Sequence, residues 1–449
     1  MSKYHLSWLD IIRLGLVQTA LGGIVVLTTS TLNRVMVVEL ALPAMVPGFL
    51  VALHYAVQMS RPRWGYGSDI GGRRSPWIIG GNAVLGLGAV LAAVSVAAYS
   101  STPTIASVLA VVAFVLVGIG GGACGTSLLA FLATHVAPSR RPAAAATVWM
   151  MMIFGFILTA ATAGNLLDPY SAVRLVEVTV GVAIVSFTLT VLAIWGLEGK
   201  PAGHTQNTTD KTEQRLTSRA FLDARSEVWS EPKARRFTVF VFVSMLAFSA
   251  QDLILEPFAG LVFALTPGET TKLSGVQHSG VFTGMLLIGI AGSWLSKRYE
   301  GVMRAFTVAG CVLSAAALAL LSVAGSIGPG WPLVENVFLL GFANGVFAVA
   351  AIGSMMGLAG DGRENREGTR MGLWGAAQAI AFGLGGFLGT IAVDVMRALT
   401  DTIASAYATV FLAEGLLFIV AAILAMRISV RALRQSDNFV DELEPATRA

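Results

Sequence analysis

The chain has 449 residues, of which 55% are hydrophobic and only 12% charged. Charge-free windows longer than about 18 residues exclude a soluble protein built on one buried core. The net charge of +4 gives no case for nucleic-acid binding, and Cys124 and Cys311 both fall in apolar stretches, as packing residues rather than a disulfide or metal site.

The opening MSKYHLSWLDIIR is too charged for a secretory signal and reads as an interfacial lead-in, with Tyr4 and Trp8 at headgroup depth. Twelve membrane helices are predicted, at 12–33, 44–62, 76–99, 104–134, 143–165, 173–197, 237–260, 276–296, 302–324, 333–357, 371–393 and 404–428. The long polar interruption at 198–236 divides them, giving an N-terminal six-helix bundle (1–197), a linker (198–236), a C-terminal bundle (237–428) and a tail (429–449). Within the linker, Phe221, Leu222, Val228 and Trp229 have near-helical spacing, which fits a helix lying on the inner leaflet or a solvated linker equally. With both termini cytoplasmic, the outer side keeps Arg34, Arg174, Lys272 and Arg397, and the other 26 of the 30 Lys and Arg fall inside.

Between spans two and three stands Gly65-x-x-x-Asp69-x-x-Gly72-Arg73-Arg74. Gly65 permits close helix approach, Asp69 suits a helix N-terminus or an arginine, and Arg73 and Arg74 suit lipid phosphates at the inner interface. A worn copy, Gly292 to Arg298 with Ser296 in place of the Asp, follows span eight. The spacing resembles the loop motif of the major facilitator superfamily, with Ile70 replacing a basic residue. That resemblance implies an all-α polytopic membrane protein of twelve transmembrane helices, arranged as two six-helix repeats.

The segments TLNRVMVVELALP (Thr31 to Pro43) and QDLILEPFAG (Gln251 to Gly260) resemble the PucC/LhaA, or bacteriochlorophyll delivery, family. The form GYGSDIGGRRSPW is similar to a branch encoded beside bacteriochlorophyll synthase. The resemblance implies a photosynthetic complex assembly factor in a bacterial inner (intracytoplasmic) membrane. Its cargo would be bacteriochlorophyll or a precursor, and its partners bacteriochlorophyll synthase or light-harvesting and reaction-centre polypeptides. No intrinsic cofactor is implied.

Charge inside a bilayer costs about 2.5–3.5 kcal/mol per group at mid-helix, so each such residue needs a reason. Span seven holds Gln251, Asp252 and Glu256; the two acids are four apart and share a face. Asp252 lies about 22 Å along the span, towards the outer side. Span one ends in Asn33 and Arg34, and an Arg34 pair with Asp252 or Glu256 is expected to close the outer side. His54, with Gln58 one turn on, is a candidate pigment contact, because a neutral imidazole suits chlorophyll magnesium; a helix-to-helix hydrogen bond is the plainer reading. His135 and His278 are expected at the interfaces, and Glu335 and Glu414 near outer span ends. Gly118, Gly121, Gly122 and Gly125, and Gly385 with Gly389, mark packing faces.

No enzyme constellation and no metal-ligand cluster emerges. Two functions remain: an assembly factor with an apolar cargo, favoured by the sparse charge of spans four, five, ten and eleven, or a proton-coupled secondary transporter of a small solute working through Asp252 or Glu256.

Overall fold

The structure, a computed structural model, describes residues 6–59, 73–137, 140–198, 232–295, 298–299, 301–360 and 367–427. Its helices are α1 (Trp8–Val38), α2 (Met45–Gln58), α3 (Ser75–Ala98), α4 (Pro103–His135), α5 (Arg141–Leu166), α6 (Ala172–Ile194), α7 (Pro232–Phe263), α8 (Pro267–Leu295), α9 (Val302–Ile327), α10 (Leu333–Gly360), α11 (Glu367–Leu399) and α12 (Ile403–Met426). Among the described residues, eleven are long and apolar enough to cross a membrane. The described part of α2 has 14 residues, against an expected span of 44–62. Gly65, Asp69, Gly72, Ser296, the 221–229 stretch that fits an interfacial helix or a solvated linker, and the 429–449 tail lie outside the described residues.

Local chemistry sets the helix starts. Ser7 and Asp10 form a capping box on α1. A second such box, Thr266 with Glu269, starts α8 at Pro267, nine residues before the apolar run that marked the expected start. Hydropathy missed that turn because Glu269 and Lys272 ride on it.

Within the first half, α1 packs on α5 and α6, α3 on α4 and α6, and α2 on α4. Within the second, α7 packs on α11 and α12, α8 on α10, and α9 on α10 and α12. The halves meet where α1 touches α7, α2 touches α11, and α5 touches α8. Glycine permits the closest approaches. A Cβ at Gly341 would lie 2.0 Å from the Gln277 carbonyl oxygen, so α8 and α10 run almost backbone to backbone. Gly118, Gly385 and Gly389 are likewise packed against neighbouring backbone, whereas Gly121 and Gly125 meet only side-chain ends beyond 3.6 Å, so the expected packing face is real at Gly118 and loose at those two.

The second half is cored by aromatics: Phe258 meets Tyr407 and Phe411 edge-on or tilted, and Phe347 meets Phe240 and Phe418. Ile105, Val108, Val173, Ile184, Val185 and Leu192 are exposed around the outside, as a lipid-facing belt requires.

Candidate functional site

Two irregular helices face each other where the halves meet. In α1, residues Leu27–Thr31 form a π-helical turn, and the hydroxyls of Thr28 and Thr29 donate to the carbonyls of Val25 and its neighbour Ile24. In α7, Pro257 sits inside the helix. Proline has no N–H, so the carbonyl four residues earlier, that of Leu253, loses its helical donor. Asn33 replaces it: Nδ2 donates to Leu253 O at 2.6 Å. A backbone acceptor orphaned in lipid is thus satisfied from the other half of the molecule. The two segments that carried the family resemblance, Thr31 to Pro43 and Gln251 to Gly260, are the ones brought into contact.

Arg34, 2% exposed, lies beside this contact. The expected pair with Asp252 or Glu256 gives way to another partner. Arg34 Nη1 donates to Glu39 Oε1 at 2.5 Å, and Nη2 to Leu265 O at 2.7 Å, closing α1 onto the α7–α8 turn. Glu39 is only five residues away and follows the end of the helix, so it can fold back, while Glu256 is already taken by the hydroxyl of Ser30. Ser30 also meets Ser274 Oγ at 3.2 Å, and Thr31 meets Thr271 at 3.1 Å. Thr270 and Ser274 face the Glu256 carboxylate, and Arg34 still acts on it electrostatically. Tyr170 covers the ion pair from the α5–α6 turn. Burial and the Glu39 carboxylate push its phenol above the ordinary value, and Arg34 opposes them.

Deeper in α7, Gln277 of α8 faces Asp252, and Gln251 is fully buried with neither side-chain amide atom bonded. Glu414 on α12, expected near a span end, is instead 3% exposed in the core and interacts electrostatically with Asp252. Eleven residues of helix precede it, about 16 Å at 1.5 Å each, so its depth was open to simple arithmetic.

Other contacts between the halves lie near the same end. Asp394 of α11 accepts from Ala44 N at 3.0 Å and Met45 N at 2.8 Å, capping α2 from the opposite half. Asp168 accepts from Thr266 Oγ1 at 2.8 Å and lies 3.8 Å from Lys272 Nζ.

At the other end, Arg74 donates from its side chain to Ala130 O and Thr134 Oγ1, and Arg73 lines a shallow pocket with Trp195 and Glu198. Glu198 accepts from Arg74 N at 2.6 Å and Ser75 N at 2.8 Å. It caps α3, the kind of role expected of Asp69. Burial alone would raise the Glu198 carboxyl, but the Ser75 and Arg74 hydrogen bonds outweigh it and hold it below the ordinary value.

His54 is buried, with Nδ1 2.7 Å from Val51 O and its ring 4.1 Å from that of Tyr55. Gln58 stands a turn further along α2, 3.7 Å from the position of a Cβ on Gly121. His278, expected at an interface, packs edge-on against Phe156 in the α5–α8 seam. An apolar groove of about 350 Å³ lies between the end of α1 and helices α2, α3, α4 and α11; Met36, Leu42, Phe49, Leu50, Val96 and Phe387 are among its lining residues. His54 lies one turn along α2 from Leu50 and does not line it.

A family model described as PUCC protein matches residues 31–433. The chain belongs to the PUCC family. It is 54% identical over 420 residues to the "Bacteriochlorophyll synthase 44.5 kDa chain" of Rhodobacter capsulatus, covering 94% of this chain and 95% of that one. To "Protein PucC" of the same organism it is 30% identical over 445 residues, covering 94% and 93%. Solved transporters share its fold. A bacterial homologue of the lysosomal transporter Spinster, inward-facing and unoccupied, superposes with a TM-score of 0.67 at 15% identity, covering 93% of this chain and 95% of that one. A proton-dependent oligopeptide transporter gives 0.68 at 13%, covering 94% and 98%. The family and the major facilitator fold expected from the sequence are both borne out, and this PUCC-family chain is a multi-pass membrane protein.

Proposed function

We propose that this chain is a photosynthetic assembly factor that holds bacteriochlorophyll, or a precursor bearing its hydrocarbon tail, and delivers it to a pigment-synthesising enzyme or to light-harvesting polypeptides. The observation that carries this reading is the apolar groove. Its volume is in the range of small-molecule sites and its lining is almost wholly hydrocarbon. Such a seat suits an isoprenoid tail and offers nothing to a sugar or a peptide. The 54%-identical relative, named as a bacteriochlorophyll synthase chain, supports a pigment pathway. On this reading the membrane is the bacterial inner membrane, both termini are cytoplasmic, and 1–197 and 237–428 act as two bodies joined by a tether.

The test is purification from a phototrophic host in mild detergent, with an absorption spectrum and identification of co-purifying chains. Wild type should carry bacteriochlorophyll, and Val46→Trp, which fills the groove from a partly exposed position, should lower the pigment-to-protein ratio several-fold without changing the melting temperature.

The second reading, a proton-coupled transporter of a small solute, draws support from the solved neighbours and from the buried acids of α7. A colourless protein with solute-dependent proton flux in liposomes would replace the first reading with the second.

A further inference from the structure

The apolar groove belongs almost entirely to one half of the molecule. Its lining comes from the end of α1 and from α2, α3 and α4, with one exception among the described residues: Phe387 of α11. Phe387 meets Phe49 edge-on, 6.2 Å between ring centroids, and Phe49 is itself a lining residue, 49% exposed. The serine hydroxyls in the lining are spent on their own helices. Ser95 Oγ donates to Ala92 O at 2.7 Å, and Ser107 Oγ to Pro103 O at 2.8 Å. Apart from Tyr99, what remains to meet a ligand is hydrocarbon, which suits a hydrocarbon chain and leaves a polar group unsatisfied.

Phe387 is held at the groove by a seam along α2 and α11. The two helices are antiparallel, since their contacts advance along one as they retreat along the other. Asp394 accepts from the first N–H groups of α2, at Ala44 and Met45. One turn earlier on α11, Thr390 is fully buried against Gly48, where a Cβ would lie 2.0 Å from Thr390 Oγ1 and 3.0 Å from its Cβ. Phe387 comes next, against Phe49, and then Gly383 and Phe382, against Tyr55. From Asp394 to Gly383 the seam rises about 16 Å. The rest of the lining is one body, because α2 and α3 both pack on α4. The Phe387 wall goes with the other half.

We propose that the groove is a seat shared by the two halves: Phe387 clamps the isoprenoid tail of the pigment against α2, and parting α2 from α11 is the step that releases it. The identity of the tail rests on the function proposed above. A tail in the groove touches Phe387 only while the seam is closed. It therefore binds the closed seam more tightly than the parted one, and by the same free energy its presence holds the seam closed. Asp394 does not line the groove, so it is a positioning residue that acts on the cargo through the seam.

The test follows release of bacteriochlorophyll from the full chain in lipid nanodiscs to empty vesicles, read by absorption. Phe387→Ala should speed release several-fold, with Phe387→Leu in between. Asp394→Ala should speed it about fivefold, the effect of losing a cap of about 1 kcal/mol. Gly48→Cys with Thr390→Cys brings two Cβ atoms close enough for a disulfide, which should slow release when oxidised and restore the wild-type rate when reduced. Bacteriochlorophyllide, the same ring without the tail, should leave at a rate that none of these changes alters. If the cysteine pair does not fold, the Phe387→Ala and Asp394→Ala rates decide. Release unchanged in both single variants, or a disulfide that slows the tailless ring as much, overturns the clamp and leaves the pigment reading standing. A wild type that takes up no bacteriochlorophyll overturns the pigment reading, and the clamp with it.

Discussion

At the scale of single residues, the tightest dependence is between Asn33 and Pro257. Without Asn33 the Leu253 carbonyl has neither a helical nor a cross-half donor. Asn33→Ala should therefore cost about 1–3 kcal/mol of stability, the usual penalty of an unsatisfied buried polar group. In a Pro257→Ala background the helix regains its own N–H, and the same substitution should cost less. A double-mutant cycle read by thermal melting in detergent measures the difference, and additive costs would mean the contact is incidental. Arg34 gives a second residue-scale prediction. Glu39→Gln leaves a buried guanidinium held only by Leu265 O, so Arg34→Met with Glu39→Gln should melt higher than Glu39→Gln alone. Exchanging charges between Arg34 and Glu256 should not restore stability, because Glu256 is bonded to Ser30.

At the scale of helices, caps and close contacts matter more than length. Glu198 holds the first turn of α3. Its carboxyl titrates lower in the folded chain than in the unfolded one, so its contribution is complete above the ordinary carboxylate value of 4.5 and disappears as pH falls through the lowered folded value. Melting curves of wild type and Glu198→Gln should differ at neutral pH and converge in acid. The α8–α10 seam is fixed by bare backbone. Gly341→Ala would push a methyl into the Gln277 carbonyl and should destabilise by about 1–3 kcal/mol, the range for overpacking. Sequence reading found the helices but placed their ends by hydropathy. It therefore missed the start of α8, which a capping box sets in polar sequence, and it assigned Glu198 to a linker because its partners are backbone amides 124 and 123 residues away.

At the scale of the whole molecule, the halves are tied by groups that each reach across. Asp394 is the simplest to test, since it caps α2 from α11. Asp394→Ala removes a cap worth about 1 kcal/mol, which should raise the population of any state with α2 and α11 apart roughly fivefold. Spin labels near the ends of α2 and α11, read as a distance distribution in nanodiscs, should show a growing longer component. An unchanged distribution would make Asp394 a local cap and no more.

The apolar stretches, the polar break at 198–236, the clustering of Lys and Arg, and the two segments that mark the family are legible in the chain, because span length and charge bias are local properties that need no partner. Which polar atoms meet is not local. A π turn in α1 and a proline in α7 together decide that Asn33 finds Leu253 and that Glu256 falls to Ser30, leaving Glu39 for Arg34. The depth of Glu414 could be counted along its helix, but its electrostatic interaction with Asp252 arises only through the packing of α7 on α12. Hydrophobicity set which segments enter the membrane, and the need to satisfy every buried donor and acceptor without water set how they pair.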